Sequence, residues 1–248
     1  YVPDRVVTNE ELTRYMDTSD EWITQRTGIR ERRWVEPGLG TAEMAHRATR
    51  RALDQAGWKP EDVEAIVFAT LSTDHMFPGD GCFLNEKLGL PGVPALDVRN
   101  QCSGFLYGLS VADAWIRCGT YRRVLLVGSE THSTGLDVST RGRDVSVIFG
   151  DGAAAALLEA SDDPGRGVLA MTLHADGGTA MSVWLRAALE QLQKMPDAIH
   201  HALLLTDGRN EDGNPRDARH AHPDGRPDRA ADHPHRGCPR RKDARTWR

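Results

Sequence analysis

The stretch Asp97-Val98-Arg99-Asn100-Gln101-Cys102-Ser103-Gly104-Phe105 decides the reading of this chain. Pro94-Ala-Leu-Asp-Val98 before it reads as a strand. From Ser103 to Arg117 the apolar residues Phe105, Leu106, Leu109, Val111, Ala112, Trp115 and Ile116 cover most of a helical circumference, which predicts a buried helix. Cys102 therefore stands where a strand hands over to a helix. A thiol at a helix start feels the positive end of the helix dipole and free backbone N–H groups. Both favour thiolate, the nucleophilic form. Gly104 removes a side chain two residues from the thiol. Free cysteines are also among the most often buried residues, so an inert core thiol is the other reading at this point. Cys82 and Cys118 lack such a context and read as structural.

Working outward, alternation of strands and helices recurs. Thr8-Asn9-Glu10-Glu11 reads as a capping box, and Thr18-Ser19-Asp20-Glu21 repeats the signal before Trp22-Ile23. Two short helices follow, the second ending near Gly28. Met44, Ala45, Ala48, Ala52, Leu53 and Ala56 recur at helical spacing over 41–56, and Gly57 closes that helix. Glu64-Ala-Ile-Val-Phe-Ala-Thr70 reads as a strand whose apolar run, 65–69, is unbroken, which suits a strand covered on both faces. Strands are also predicted over 124–128, 145–149, 153–159 and 167–174, with Gly150-Asp151-Gly152 as a tight turn between two of them. The fold class is α/β, layered, with a mixed, largely parallel sheet and helices on both faces.

Composition sets limits on function. The chain has 248 residues and a net charge of -5, which gives no support for nucleic-acid binding. Its four cysteines show no paired spacing, so neither a disulfide framework nor a zinc site is expected, and a reducing, cytoplasmic compartment fits. No apolar run approaches the roughly 20 residues that cross a bilayer, and no secretory leader is visible. The chain begins at Tyr1 rather than Met, and a preceding segment is expected. From Glu211 onward there is no Val, Ile, Leu, Met, Phe or Tyr. Residues 211–248 read as a disordered tail with the composition of a GC-rich stretch translated out of frame.

Four collinear blocks resemble the β-ketoacyl-acyl-carrier-protein synthase III family of the thiolase fold. They are residues 1–9, Asp20-Glu-Trp-Ile-Thr-Gln-Arg-Thr-Gly-Ile29, Asp97 to Phe105, and Phe149-Gly-Asp-Gly-Ala153. The resemblance spans residues 1–177, one half of a fold built from two related halves. It implies that Cys102 attacks an acyl-CoA thioester, and that the acyl-enzyme then condenses with malonyl-acyl-carrier protein as CO2 leaves. No cofactor and no metal are implied beyond these substrates. Trp22 matches a tryptophan that packs on the CoA adenine, and Arg26 and Arg143 match arginines at the CoA entrance. Phe77 matches a phenylalanine that lines the neighbouring subunit's acyl pocket, which implies a homodimer. The family's second half supplies a histidine and an asparagine for decarboxylation. His174, His200-His201 and Asn214 do not match them in context.

Residues 178–210 resemble instead part of a von Willebrand factor A domain. Thr179 and Asp207 match positions that help to hold a divalent metal there. The Asp-x-Ser-x-Ser loop that supplies the other ligands is absent, and no metal site is expected. The chain thus reads as a condensing enzyme of fatty-acid biosynthesis by ancestry. A truncated or chimeric, non-catalytic remnant is the alternative.

Overall fold

The computed structural model describes residues 1–163 and 165–173. The sequence expectations for His174, for the segment 178–210, for the tail and for His200, His201, Thr179 and Asp207 lie outside the described residues. All described helices and strands fall in the unit that holds Tyr1–Val168. In order they are β1 Val6–Thr8, α1 Asn9–Leu12, α2 Asp20–Thr27, β2 Glu31–Arg33, α3 Thr41–Ala56, β3 Ala65–Ala69, α4 Asp80–Leu88, β4 Ala95–Val98, α5 Gly104–Arg117, β5 Arg123–Thr131, α6 Arg143–Ser146 and β6 Asp151–Glu159.

The main sheet has the order β4-β3-β5-β6. β3 runs parallel to β4 and to β5, with Ala69 opposite Val98 and Gly128. β6 returns antiparallel to β5, which makes the sheet mixed. Alternate residues of a strand face opposite sides, and both sides of the central strands are apolar. Ile66, Phe68, Leu125 and Val127 pack with Ala45 and Leu53 of α3 and with Leu84 and Leu88 of α4. Ala65, Val67, Val124 and Leu126 pack on the other face against Ala112 of α5. β3 is buried at every position, as its unbroken apolar run predicts.

α5 approaches the sheet along Gly104, Gly108 and Ala112, its buried residues. A β-carbon on Gly108 would sit 2.8 Å from Leu126 Cδ1 and 3.1 Å from Val67 Cγ1, so only glycine lets the helix come this close. Phe105, Leu109, Val111, Trp115 and Ile116 are only partly buried against this core. The expectation of a helix buried all round is therefore corrected: one face is seated on β3 and β5, and the others are half-covered.

A second framework carries the N-terminal segment. β1 and β2 pair antiparallel, Val6 opposite Arg33 and Thr8 opposite Glu31. Thr8 Oγ1 accepts the Glu11 N–H at 3.1 Å, while the Glu11 carboxylate turns to Arg5 instead of closing the box, and the second cap falls one residue later than the repeat predicts, Ser19 Oγ accepting the Trp22 N–H at 3.0 Å. α2 ends on Gly28 in the left-handed region. Val7, Leu12, Met16, Ile23 and Trp34 form a small core with Val147. Arg32, 6% exposed, donates to Val7 O at 3.3 Å, Asn9 Oδ1 at 2.8 Å and Val147 O at 3.0 Å. Its burial lowers the guanidinium pKa, and these three acceptors offset the desolvation. The knot ties α2 and its surroundings to the segment around α6.

Three sequence expectations fail in this region. Residues 145–149, predicted as a strand, coil instead: Arg143–Ser146 is helical, and Val147 N and Ile148 N donate to Arg143 O and Val145 O. A short apolar run does not by itself distinguish strand from helix. Asp151 and Gly152 open β6 rather than forming a turn. No strand forms over 167–173 among the described residues.

Candidate active site

Cys102 lies in a 3-10 turn, Gln101–Ser103, between β4 and α5. It is exposed, not a core thiol. Gln101 before it has φ +24°, the only non-glycine with positive φ among the described residues. Such conformations cost about 1–3 kcal/mol and persist where the surroundings over-determine them. No side chain caps α5, so the N–H groups of its first turn lack that kind of partner. Gly104 Cα faces the sheet: a methyl there would meet Ala69 Cβ at 3.5 Å, an ordinary contact. Cys82 and Cys118, expected to be structural, are exposed as well, near the start of α4 and at the end of α5.

The structure brings Trp22, Arg26 and Arg143 together. The Arg26 guanidinium lies 4.3 Å from the Trp22 ring centre, and that of Arg143 also 4.3 Å. Arg26 is one helical turn beyond Trp22 on α2 and donates to its carbonyl at 3.2 Å. Arg143 opens α6, more than a hundred residues on, and donates to Asp17 O at 2.7 Å. Asp17 N donates in turn to Thr140 Oγ1 at 2.9 Å. Each guanidinium over an indole face contributes about 0.5–1 kcal/mol at an exposed site. The result is an aromatic plate flanked by two cations, a surface suited to a base and its phosphates.

Phe77 stands apart from this cluster. It is 89% exposed and its neighbour Met76 71%, on the loop between β3 and α4. Its bond to Pro78 is cis. Carboxylates hold the loop from within. Asp74 accepts Thr41 N and Ala42 N at 2.8 Å each, capping α3, and Asp74 N donates to both oxygens of Asp80 at 3.1 Å. Asp97 of β4 accepts Gly81 N at 3.0 Å at the head of α4. Burial raises the pKa of Asp80, with the Asp74 and Asp97 charges adding to it. Burial likewise raises that of Asp97, against the N–H groups of Gly81 and Asp80. The sequence reading missed these caps because they join residues distant in the chain.

Among the described residues, no helix is long and apolar enough to cross a membrane. No group of three His, Cys, Asp or Glu there is placed to hold a metal ion.

A parallel-centred α/β sheet with a cysteine at the strand-to-helix turn defines the thiolase-like class of condensing-enzyme folds. The sequence model of 3-oxoacyl-[acyl-carrier-protein] synthase III matches residues 96–177. A β-ketoacyl-[acyl-carrier-protein] synthase III of Caldanaerobacter subterraneus subsp. tengcongensis is 43% identical over 203 residues, 82% of this chain and 60% of that protein. The crystal structure of 3-oxoacyl-[acyl-carrier-protein] synthase III from Aquifex aeolicus is 41% identical, covering 66% of this chain and 52% of the other at TM-score 0.63. That of β-ketoacyl-[acyl-carrier-protein] synthase III from Thermus thermophilus is 34% identical, covering 86% and 60% at TM-score 0.67. The chain is thus similar to part of the β-ketoacyl-acyl-carrier-protein synthase III family and shares its thiolase-like fold. The chain spans about 60% of the length of the curated relative it matches.

Proposed function

We propose that Cys102 is the acyl acceptor of a condensing enzyme of fatty-acid biosynthesis. The observation that carries this reading is the convergence of Trp22, Arg26 and Arg143 on one ring, from segments far apart in the chain. The indole would take the adenine of an acyl-CoA and the two guanidiniums its phosphates. The Cys102 sulfur would attack the thioester carbonyl, forming a new C–S bond, and CoA would leave as its thiol. In the intact family condensation would follow, when malonyl-acyl-carrier protein loses CO2 with the help of the second half's histidine and asparagine and its carbanion attacks the acyl-cysteine carbonyl. The Cys102 thiolate is then expelled, and a β-ketoacyl-acyl-carrier protein two carbons longer results. The partners are acyl-CoA and acyl-carrier protein. The reaction needs no cofactor of the protein's own, and its setting is the cytoplasm.

Phe77, exposed at the tip of its loop, would enter a second copy of the chain, making a homodimer. Gly104 would leave space beside the sulfur for the acyl chain.

A second reading, a remnant without catalysis, is favoured by one observation, the half-covered apolar faces of α5. Intact-mass spectrometry after incubation with acetyl-CoA separates the two, beside a Cys102→Ala control. One acetyl adduct, lost in the control, is the expected result. No adduct in a folded sample would overturn the acyl-acceptor reading and leave the remnant.

A further inference from the structure

Glu130 lies near the end of β5, and its carboxylate accepts hydrogen bonds from residues 70–72, just past the end of β3. Oε1 accepts the Leu71 N–H at 2.9 Å. Oε2 accepts the Ser72 N–H at 3.0 Å, the Thr70 hydroxyl at 3.2 Å and the Ser72 hydroxyl in a very short bond. All four partners are donors, which suits a carboxylate, the side chain that only accepts. Charge-assisted bonds of this kind are stronger than neutral ones. We propose that Glu130 is a positioning residue, one that fixes the backbone just past β3, against which the Cys102 turn packs and from which the Phe77 loop departs.

The path to the thiol is short. Thr70, held by Glu130 through its hydroxyl, donates its own N–H to Val98 O at 3.2 Å. Val98 is the last residue of β4 and precedes the Cys102 turn. On the far side of that turn, Gly104 sits over Ala69, the last residue of β3. Both ends of the turn therefore bear on Ala69 and Thr70, the last residue of β3 and the first of the clamped segment.

The path to the loop runs the other way. Ser72 Oγ accepts the Thr131 N–H at 2.8 Å, and Ser72 O accepts the Thr41 hydroxyl at 2.5 Å. Thr41 and Thr131 share a hydroxyl contact at 2.8 Å, and Ser129 Oγ donates to Thr41 O at 2.8 Å. The segment leading to Asp74 and Phe77 is thus bound to the end of β5 and the head of α3. Glu130 stands at the fork. Its side chain is 28% exposed and has access to water, yet it gathers four protein donors. His132 lies 4.0 Å from Oε2 on the other side.

The proposal rests on Cys102 being the acyl acceptor, and the test keeps the two apart. Glu130→Gln, in the full chain, sets an amide N–H₂ against at least one of these donors. Ser72→Ala, a milder change, removes one donor and one acceptor. Amide exchange at residues 70–74 should rise about tenfold in Glu130→Gln, with Leu125 and Val127 of β5 unchanged. Alkylation of Cys102 by iodoacetamide, measured by peptide mass against Cys118 in the same chain, should change about threefold or more. With acetyl-CoA, kcat should fall about tenfold at constant KM. Ser72→Ala should act in the same direction and less, and adding it to Glu130→Gln should change little further. Unchanged exchange at 70–74 would overturn the proposal. So would an unchanged Cys102-to-Cys118 ratio accompanied only by a lower Tm, since that is a purely structural role. If the unsubstituted chain takes no acetyl group, the acyl-acceptor reading fails, while exchange and alkylation still decide the role of Glu130. Should Glu130→Gln fail to fold, Ser72→Ala decides by the same two readouts.

Discussion

Helix α5 carries two glycines toward the sheet, and the structure assigns them different work. A methyl on Gly104 meets Ala69 Cβ at 3.5 Å and displaces nothing, whereas one on Gly108 lands 2.8 Å from Leu126 Cδ1 and 3.1 Å from Val67 Cγ1. Leu126 and Val67 are both 0% exposed, so relieving the overlap means shifting side chains inside the core. In Gly108→Ala a propensity gain of about 1 kcal/mol opposes an overpacking cost of about 1–3 kcal/mol, a net loss of about 0–2 kcal/mol. Gly108→Val adds two more methyl groups to the same contact and should lose at least about 2 kcal/mol. Gly104→Ala meets no overlap and should stay within about 0.5 kcal/mol of the unsubstituted chain. Urea unfolding followed by circular dichroism reads these differences, provided the m-value is unchanged. In the proposed reaction Gly104 leaves room for the acyl group, so Gly104→Ala should also slow acetyl transfer to Cys102 by about tenfold. A Gly108→Val chain as stable as the original would show that α5 does not seat at this distance. Normal acetyl transfer in Gly104→Ala would reduce Gly104 to a packing residue.

Trp22→Ala removes the plate shared by Arg26 and Arg143. KM for acetyl-CoA should rise about tenfold with kcat nearly unchanged, and Cys102 alkylation should stay as it is. An unchanged KM would refute the adenine role. Asp80 is fully buried, and its pKa is raised from 3.8 chiefly by that burial, with the Asp74 and Asp97 charges adding to it. The folded state then binds the proton more readily than the unfolded chain. The stability this group contributes is therefore full below 3.8 and lost as pH rises through the folded value. Carbon NMR of the Asp80 carboxyl should titrate above 3.8, and a midpoint at or below it would contradict the desolvation argument.

What the sequence revealed was what is local. The α3 span over 41–56, the Thr8 cap and the Gly28 stop are fixed by spacing and by residues within one or two turns, and they stand in the structure as read, while the second cap falls on Ser19, one residue past Thr18. The buried β3 was legible from its unbroken apolar run. Residues 145–149 misled because five residues carry too little periodicity to separate a strand from a coil; the Arg32 bond to Val147 O is a long-range fact. The partial exposure of α5 was equally hidden, since an apolar circumference states what a helix can cover and not what covers it. For the site, the cysteine turn announces itself as a strand-to-helix junction. Trp22, Arg26 and Arg143 are different: only the family resemblance singled them out, and only the fold puts Arg143 on the same ring as Arg26. Glu130 gave one faint signal, an acidic residue two places after the apolar run 124–128, and its partners lie some sixty residues away.

The proposed reaction divides between two frameworks that have separate cores. Trp22 belongs with Val7, Leu12, Ile23 and Trp34, whereas Cys102 follows the strand beside β3 in the main sheet. Arg32, bonded to Val7 O, Asn9 Oδ1 and Val147 O, stays within the first of these cores. A buried carboxylate joins the two. Asp151, at the head of β6, accepts Val35 N at 2.7 Å and Ser133 N at 2.8 Å. Such groups are costly to bury and strongly directional once bonded, so they set geometry more than they add stability. That is the requirement of an enzyme whose substrate handle is held far from the bond it breaks. Binding energy at the nucleotide end assists the thioester end only if the intervening protein is stiff, because a misplacement of about 1 Å at the reacting atoms can cost about a hundredfold in rate. Within the proposed mechanism, the Asp151 tie belongs to the alignment of acyl-CoA on Cys102, although Asp151 does not lie beside the thiol in sequence.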